Sequence, residues 1–489
     1  MTLTSAIDIA RSGLSVTSGQ TAIVSRNIVG AGEALASRKL ANVATAPDGG
    51  VRLASISRVS DRALFVHMLA SNSKAAQHQS IVDALDRLDG TVLDPELDAS
   101  PAALIGKLND AMQLYSAAPH DTLAAQSAVA AARDVAQALS SATDVVQKLR
   151  KQADAEMASA VERLNGLLTQ FEILNTTIVN GTRAGNDVTD HLDNRDRLLQ
   201  AISEELGIRT TLRADNDMVL FTDSGVTLFE KKPRTLSFET TLFYAPDSIG
   251  NAVYADGVQI TGTPGGLRIG SGRLAGLASV RDEFATRYQT QLDEIARGLI
   301  ETFVESDQSA APILPDAPGL FTYPSAAAVP ASGTVVVGLA GQIMVNPSVD
   351  PAQGGSATKL RDGGIAGLNY NYNPSGAASF SGRLHELLES MAAQRAFYPN
   401  SGLAGSDSIA GFAADSVAWL QEARLSSSTD LNYRQTVLER SSEALSNATG
   451  VNLDEEMTIL LGLERSYQAT SRLIATIDDM FKALLAAAG

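Results

Sequence analysis

Residues 450–485 constrain the fold more than any other stretch. Gly450 and Asn452 read as a stop and a restart. Asp454, Glu455 and Glu456 then put negative charge into a first helical turn, where it complements the helix macrodipole. Beyond that turn only Gly462 interrupts the helical run, and there is no proline. Stepping alternately by three and four residues from Leu453 gives Glu456, Leu460, Leu463, Tyr467, Thr470, Ile474, Ile477, Phe481 and Leu484. Glu456 and Thr470 alone break the apolar seam, and Met457, Leu461, Leu473 and Met480 widen it. Such a repeat wants a partner helix along its whole length.

The partner is expected at the opposite end of the chain. The same stepping from Leu3 gives Ile7, Ala10, Leu14, Thr17, Thr21, Val24 and Ile28. This seam is thinner, and Gly13 and Gly19 weaken the helix by roughly 1 kcal/mol each relative to alanine. Two such segments are marginal alone. They are expected to pair with each other and with copies from neighbouring subunits. A helix pair packed only on the chain's own core is the competing reading.

At 489 residues the chain has room for about three domains. The net charge of −17, with no basic run longer than Arg150-Lys151 or Lys231-Lys232, argues against nucleic acid and anionic membrane surfaces as partners. The absence of cysteine removes disulfides, thiolate metal sites and a cysteine nucleophile. Residues near Met1 do not form a secretory signal, because Asp8 and Arg11 interrupt the apolar residues. No window is long and apolar enough to span a bilayer.

Between the two seams, residues 42–61 read as irregular, with Val51, Leu53, Ile56 and Val59 in a short extended arm. Ser60 and Asp61 open a helix to Gly90. Ser100-Pro101 is a cap followed by proline at the first helical position. Asp121 opens a long helical region to about residue 180 that approaches 90 Å at 1.5 Å per residue. A helix over 193–206 comes next. Composition then switches to strands at 208–212, 218–222, 226–229, 236–244 and 252–260, with a hairpin turn at Asp256-Gly257. Residues 274–304 return to helix. Strands are expected at 335–339 and 343–345, joined at Ala340-Gly341, and helices at 382–397 and 408–448. The fold class is mainly α with an inserted β-rich domain. The expected domains are a terminal coiled coil (1–45 and 450–489), a helical body (46–192 and 382–449, joined by the 272–305 helix) and a β-rich insert (193–381).

Signals for chemistry are weak, and no enzyme, cofactor or metal site is expected. None of the five histidines pairs at a spacing of four residues. The cluster Asp187, Asp190, Asp193 and Asp196 lacks the loop glycine and closing glutamate of a calcium loop, and Arg195 and Arg197 sit among the carboxylates. A solvated, paired helix start is the expected reading. Gly270-Ser271-Gly272 with Gly276 misses the dinucleotide spacing by one place and suits a sheet-to-helix turn. There is no nucleophile-elbow motif.

Gly450-Val451-Asn452-Leu453-Asp454-Glu455-Glu456, with Tyr467-Gln468-Ala469 and Ile474-Ala475-Thr476, resembles the C-terminal signature of bacterial flagellar axial proteins. Leu3-Thr4-Ser5-Ala6, Ser12-Gly13-Leu14 and Ser25-Arg26-Asn27-Ile28 resemble their N-terminal signature. The pattern over 119–180, Asn186-Asp187, Asp193-Asn194-Arg195-Asp196-Arg197-Leu198-Leu199 and residues 272–303 resemble the hook-associated protein 1 family of hook–filament junction proteins. The family's Asn-Thr-Pro-Gly-Tyr-like run is missing, since 30–38 holds neither proline nor tyrosine, so the linking arm is expected to take its own path.

The resemblance implies a structural protein in a ring of identical subunits, between the hook protein and the second hook–filament junction protein (hook-associated protein 3). It implies export by the flagellar type III apparatus without a cleaved signal, a chaperone on the C-terminal helix, terminal helices that order on assembly, and an extracellular place on the flagellum. The assembly residues expected are Leu3, Ile7, Leu14, Val24 and Ile28, facing Leu453, Leu460, Leu463, Tyr467, Ile474, Ile477, Phe481 and Leu484. Two alternatives stay open: another axial protein (hook or rod subunit), or an axial scaffold carrying an adhesin or hydrolase insert.

Overall fold

The computed structural model describes every residue except 1–2, 48, 93–99, 263–265, 310–311, 325–327 and 489. The expected domain limits at residues 1 and 489 lie outside the described residues. The helical spine is α4 (Thr122–Ala184), 63 residues long and therefore about 95 Å. Asp121 caps its start, its carboxylate accepting from Leu123 N and Ala124 N, and Gly185 in the left-handed region ends it. Its buried stripe runs from Ala125 through Leu139, Val146, Met157, Leu164 and Phe171 to Ile178. Alanines in the first half keep that face slim, so neighbouring helices approach closely.

Around this spine pack α2 (Arg62–Val92), α3 (Pro101–Ala117), α5 (Thr189–Glu205) and a long helix from Arg273 to Thr302. Ser100 caps α3, accepting from Ala103 N, with Pro101 at the first position. The 41-residue α10 (Ile409–Thr449) lies against α2. Helix α5 begins four residues earlier than the sequence suggests, because Asp187 captures Thr189 N and its hydroxyl. It therefore straddles the expected boundary at 193. The Arg273–Thr302 helix is α6 (Arg273–Ser279) and α7 (Ala285–Thr302), joined by a π turn at Val280–Phe284. The extra residue turns both Val280 and Arg281 fully inward. Gly272 precedes α6 with φ +93°, and a Cβ there would meet Leu206 Cα at 2.3 Å, so the sheet-to-helix turn requires glycine.

The β elements are small and antiparallel. Residues 42–61 are not irregular: β1 (Lys39–Thr45) and β2 (Val51–Arg58) form a hairpin, bulged between Asn42 and Val43. Asn42 Nδ2 donates to Ser55 Oγ and Ser57 Oγ across it, a polar pairing that period-two apolar alternation does not reveal. The strands expected at 208–212, 218–222 and 226–229 form as β3 (Ile208–Leu212), β4 (Met218–Thr222) and β5 (Thr227–Glu230), and β6 (Lys232–Pro233) completes a four-stranded sheet. The strands expected over 236–244 and 252–260 shrink to β7 (Leu236–Ser237), β8 (Tyr254–Ala255) and β9 (Val258–Gln259). The loop between β7 and β8 finds its hydrogen-bond partners on α4 instead of a ladder.

Two further expectations are corrected. Residues 335–339 and 343–345 are not a hairpin, since Gly338 and Ala340 donate their N–H groups to the buried Asp293 carboxylate of α7. This holds a turn at Leu339–Gly341, and β11 (Met344–Val345) pairs with β10 (Phe321–Thr322). After α8 (Lys359–Asp362), α9 (Gly382–Ala392) stops short of 397 because β12 (Arg395–Ala396) pairs with β13 (Ser406–Asp407). The last helix, α11, covers Leu453–Ala488. Among the described residues, no helix is long and apolar enough to cross a membrane.

Burial pushes the Asp293 carboxyl up to about 6, although the N–H groups of Ala340 and Gly338 oppose the shift. A carboxyl whose folded pKa lies above its unfolded value adds stability below the unfolded pKa and loses it as pH rises through the folded one. Between pH 7 and pH 5 this group is expected to add about 1 kcal/mol to stability. Urea midpoints at the two pH values check this, and Asp293→Asn is expected to shrink the difference by about that amount.

Candidate assembly interface

Helix α1 (Leu3–Gly30) packs along α11. Asn27 Nδ2 donates to Glu456 Oε2 (3.1 Å), and Gly13 faces the Thr470 methyl. Moving 14 residues forward on one helix moves 14 back on the other, so the pair is antiparallel with one register throughout. That register puts Val24 within one residue of the level of Leu460, Ile7 of Ile477 and Leu3 of Phe481. The two contacts seen fall one residue off the α1 stepping, at Gly13 and Asn27, so the α11 seam meets α1 beside its Leu14 and Ile28 positions.

Burial grades along the pair. Val24 and Ile477 are buried, whereas Leu3, Ile7, Leu14, Ile28, Leu460, Leu463, Ile474 and Phe481 are half-buried. Leu453, Tyr467 and Leu484 stay exposed, as do Met457, Leu461, Leu473 and Met480. At 100° per residue, Met457 and Leu461 lie on one flank of the seam, and Leu473, Met480 and Leu484 on the other. A second face of α1 rests on the β1–β2 hairpin: Gly19 meets Leu53, Ile9 meets Gly49, and Ser12 Oγ accepts from Val51 N. Val16 and Ile23 are buried although they lie off the seam.

The polar root of the coil is the part that sequence reasoning missed. Glu456 reads there as a break in the seam. It is buried, taking Asn27 Nδ2 on one oxygen and Arg38 Nε (2.7 Å) on the other. Asn27 also exchanges two hydrogen bonds with the Lys39 backbone, and Arg38 N donates to Thr449 O. A carboxylate on an apolar seam, with an asparagine beside the seam of the expected partner helix, was the available signal. Glu456→Ala takes one acceptor from each donor, Asn27 Nδ2 keeping Lys39 O and Arg38 keeping Glu455, an expected loss of about 1 kcal/mol. Amide exchange in α1 and the first turns of α11 should then accelerate, with α4 unchanged.

The four aspartates tie this root to the body. Arg26 bridges Asp187 (2.7 Å) and Asp190 (2.6 Å), Lys39 bridges Asp190 (2.9 Å) and Asp193 (3.2 Å), and Arg58 bridges Asp193 (2.9 Å) and Asp196 (2.7 Å). The start of α5 is paired as expected, but not solvated throughout: Asp193 is buried and also accepts from Ser37 Oγ (2.6 Å). Burial pushes the Asp190 carboxyl up, but Lys39 and Arg26 outweigh it and hold it below its ordinary value. Asp196 goes the other way, since burial outweighs Arg58 and raises it. Arg195 turns inward to Asn175 Oδ1 and Asn216 O, and burial lowers its pKa to about 10. Three cations staggered between four carboxylates form a joint rather than a metal site. Among the described residues, no group of three or more histidines and carboxylates is placed to hold a metal ion.

Comparisons with known proteins bear on both parts of this arrangement. The family model described as the flagellar hook-associated protein FlgK helical domain matches residues 85–311, which contain α3, α4, α5 and the α6–α7 helix. The model described as the flagellar basal body rod FlgEFG protein C-terminal matches residues 443–487, which contain α11. Among solved structures, the flagellar hook junction protein FlgK from Burkholderia pseudomallei is similar at 19% identity and a TM-score of 0.41. That similarity covers 53% of this chain and 46% of the other, less than half of that protein's length. No curated protein sequence matches this chain.

Proposed function

We propose that this chain, a flagellar hook-associated protein of the FlgK type, enters the hook–filament junction through its terminal coil, α1 with α11. It is a structural protein of the flagellum, and no catalytic role is part of this reading. The carrying observation is the divided surface of α11. One apolar seam is used within the chain, and apolar side chains on both flanks of that seam stay in water. Exposed apolar surface along a helix marks an interaction face. Two flanks suit a coil with a neighbour on either side, as a ring of copies requires.

On this reading Val24, Ile28, Leu3, Ile7 and Leu14 hold α1 against Leu460, Leu463, Ile474, Ile477 and Phe481, while Leu453, Tyr467 and Leu484 face neighbouring copies. The ring stands between the hook protein and the second junction protein. Export by the flagellar type III apparatus, and a chaperone that covers α11 beforehand, belong to the same proposal. Such a cover would shield the apolar flanks until the chain reaches its neighbours.

The flanks can be tested apart from the seam. Leu461→Glu with Leu473→Glu changes only exposed positions, so the melting of the purified monomer is expected to stay within about 0.5 kcal/mol of the parent. Incorporation into flagella is expected to be lost. Normal junctions with this double variant would sink the reading.

A further inference from the structure

A cavity of about 380 Å³ lies beside the coil root, where the coil meets the body. Its walls come from both sides. Leu35 and the Ile56–Arg58 end of β2 belong to the coil side, and α5, β3 and β4 to the body, while Leu445 and Thr449 of α10 close one end. The size falls within the range of roughly 300–1,000 Å³ usual for small-molecule pockets.

Arg195, on the body wall, is the feature that points to a ligand. It is 2% exposed, yet its Nε finds no hydrogen-bond partner among the described residues. Its Nη1 donates to two neutral groups, Asn175 Oδ1 (3.2 Å) and Asn216 O (2.6 Å), which fix the guanidinium in place. Among the described residues, no carboxylate comes within ion-pair distance of it. Buried guanidinium groups are ordinarily paired, as Arg281 is with Asp154 and Arg297 with Glu294. The other charges on the wall are already engaged. Arg58 and Asp196 meet each other at 2.7 Å, and Asp61 caps α2, accepting from Leu64 N. Arg62 is exposed and donates to Thr210 O. Arg58, Arg62 and Arg195 against Asp61 and Asp196 leave one net positive charge on the lining. A single negative charge neutralises it. Much of the remaining wall is apolar, with Phe65, Leu192, Leu212 and Met218 beside Leu35. Such a wall strips water from whatever enters, which penalises a dianion more than a monoanion and favours an apolar body behind the charge.

We infer that this cavity binds a small monocarboxylate with an aliphatic body, its carboxylate accepting from Arg195 Nε and its chain lying against the apolar wall. Because coil and body both line the cavity, the bound acid ties the coil root to the body. The inference stands apart from the role given to the terminal coil. Octanoate is the probe, titrated calorimetrically into the purified full chain. Saturable binding of one molecule per chain is expected. Octan-1-ol has the same chain without the charge and should bind about tenfold more weakly or worse, since a charge-assisted hydrogen bond is lost. Arg195→Gln should weaken octanoate by a similar factor. Ser60 is an exposed residue of the lining, so Ser60→Trp keeps the fold while filling the cavity, and it should abolish binding. A cavity that holds water only would take up no octanoate, which overturns the inference. Equal affinity for octanoate and octan-1-ol, or octanoate binding unchanged in Ser60→Trp, overturns it as well.

Discussion

Asp154→Ala is expected to cost about 3–5 kcal/mol, the usual result of removing one partner from a buried ion pair. The carboxylate takes three donors, from Thr241 N, Tyr244 Oη and Arg281 Nη1. Without it the fully buried Arg281 keeps only Asp282, which meets the opposite edge of the guanidinium at 2.8 Å. That surviving pair places the loss toward the lower end of the range. Urea denaturation of the purified chain reads the magnitude. Amide exchange over residues 240–251 reads the location, since the loop loses its anchor while α5 and the four-stranded sheet keep theirs. A midpoint shift worth less than about 1 kcal/mol would mean that the buried charges do not hold the loop.

The second large effect concerns the seam. Ile474→Asp with Phe481→Asp puts two carboxylates where α11 meets α1, at the levels of Ala10 and Leu3. Burying an unpaired carboxylate costs several kcal/mol, more than a thin seam of alanine, threonine and half-buried aliphatics supplies. The coil is expected to open while the α4 body melts unchanged, as circular dichroism and exchange would show. Cells carrying the variant are expected to lack the junction and to be non-motile. Motile cells with normal filaments would rule out the seam as the assembly element.

The long helices were legible because their limits are written locally. Ser100-Pro101 and Asp121 mark starts at the observed caps, and the stripe of α4 keeps its period for over 50 residues. The pairing of the two chain ends was legible because both seams carry the same stepping. Segments satisfied by partners distant in sequence were not legible. Residues 236–244 and 335–339 read as strands by composition. Their N–H groups go to Asp154 and Asp293, 45 to 87 positions away, and nothing in the segments announces that. The root of the coil failed for a related reason. Glu456 and Asp193 look like surface charges until Asn27, Arg38, Lys39 and Arg58 arrive from elsewhere.

The mirrored register of α1 and α11 also sets an order of events. Asn27 and Glu456 are 429 positions apart, so the coil closes one of the widest loops the chain can form. Contacts of such sequence separation are slow to form and carry a large closure entropy. A ribosome makes α1 first, and it then has no helical partner until α11 has been made. The body, whose α3–α4 and α4–α5 contacts are local, can condense in the meantime. The coil that we propose joins copies together is thus the last element to be completed, a built-in delay against joining them too soon.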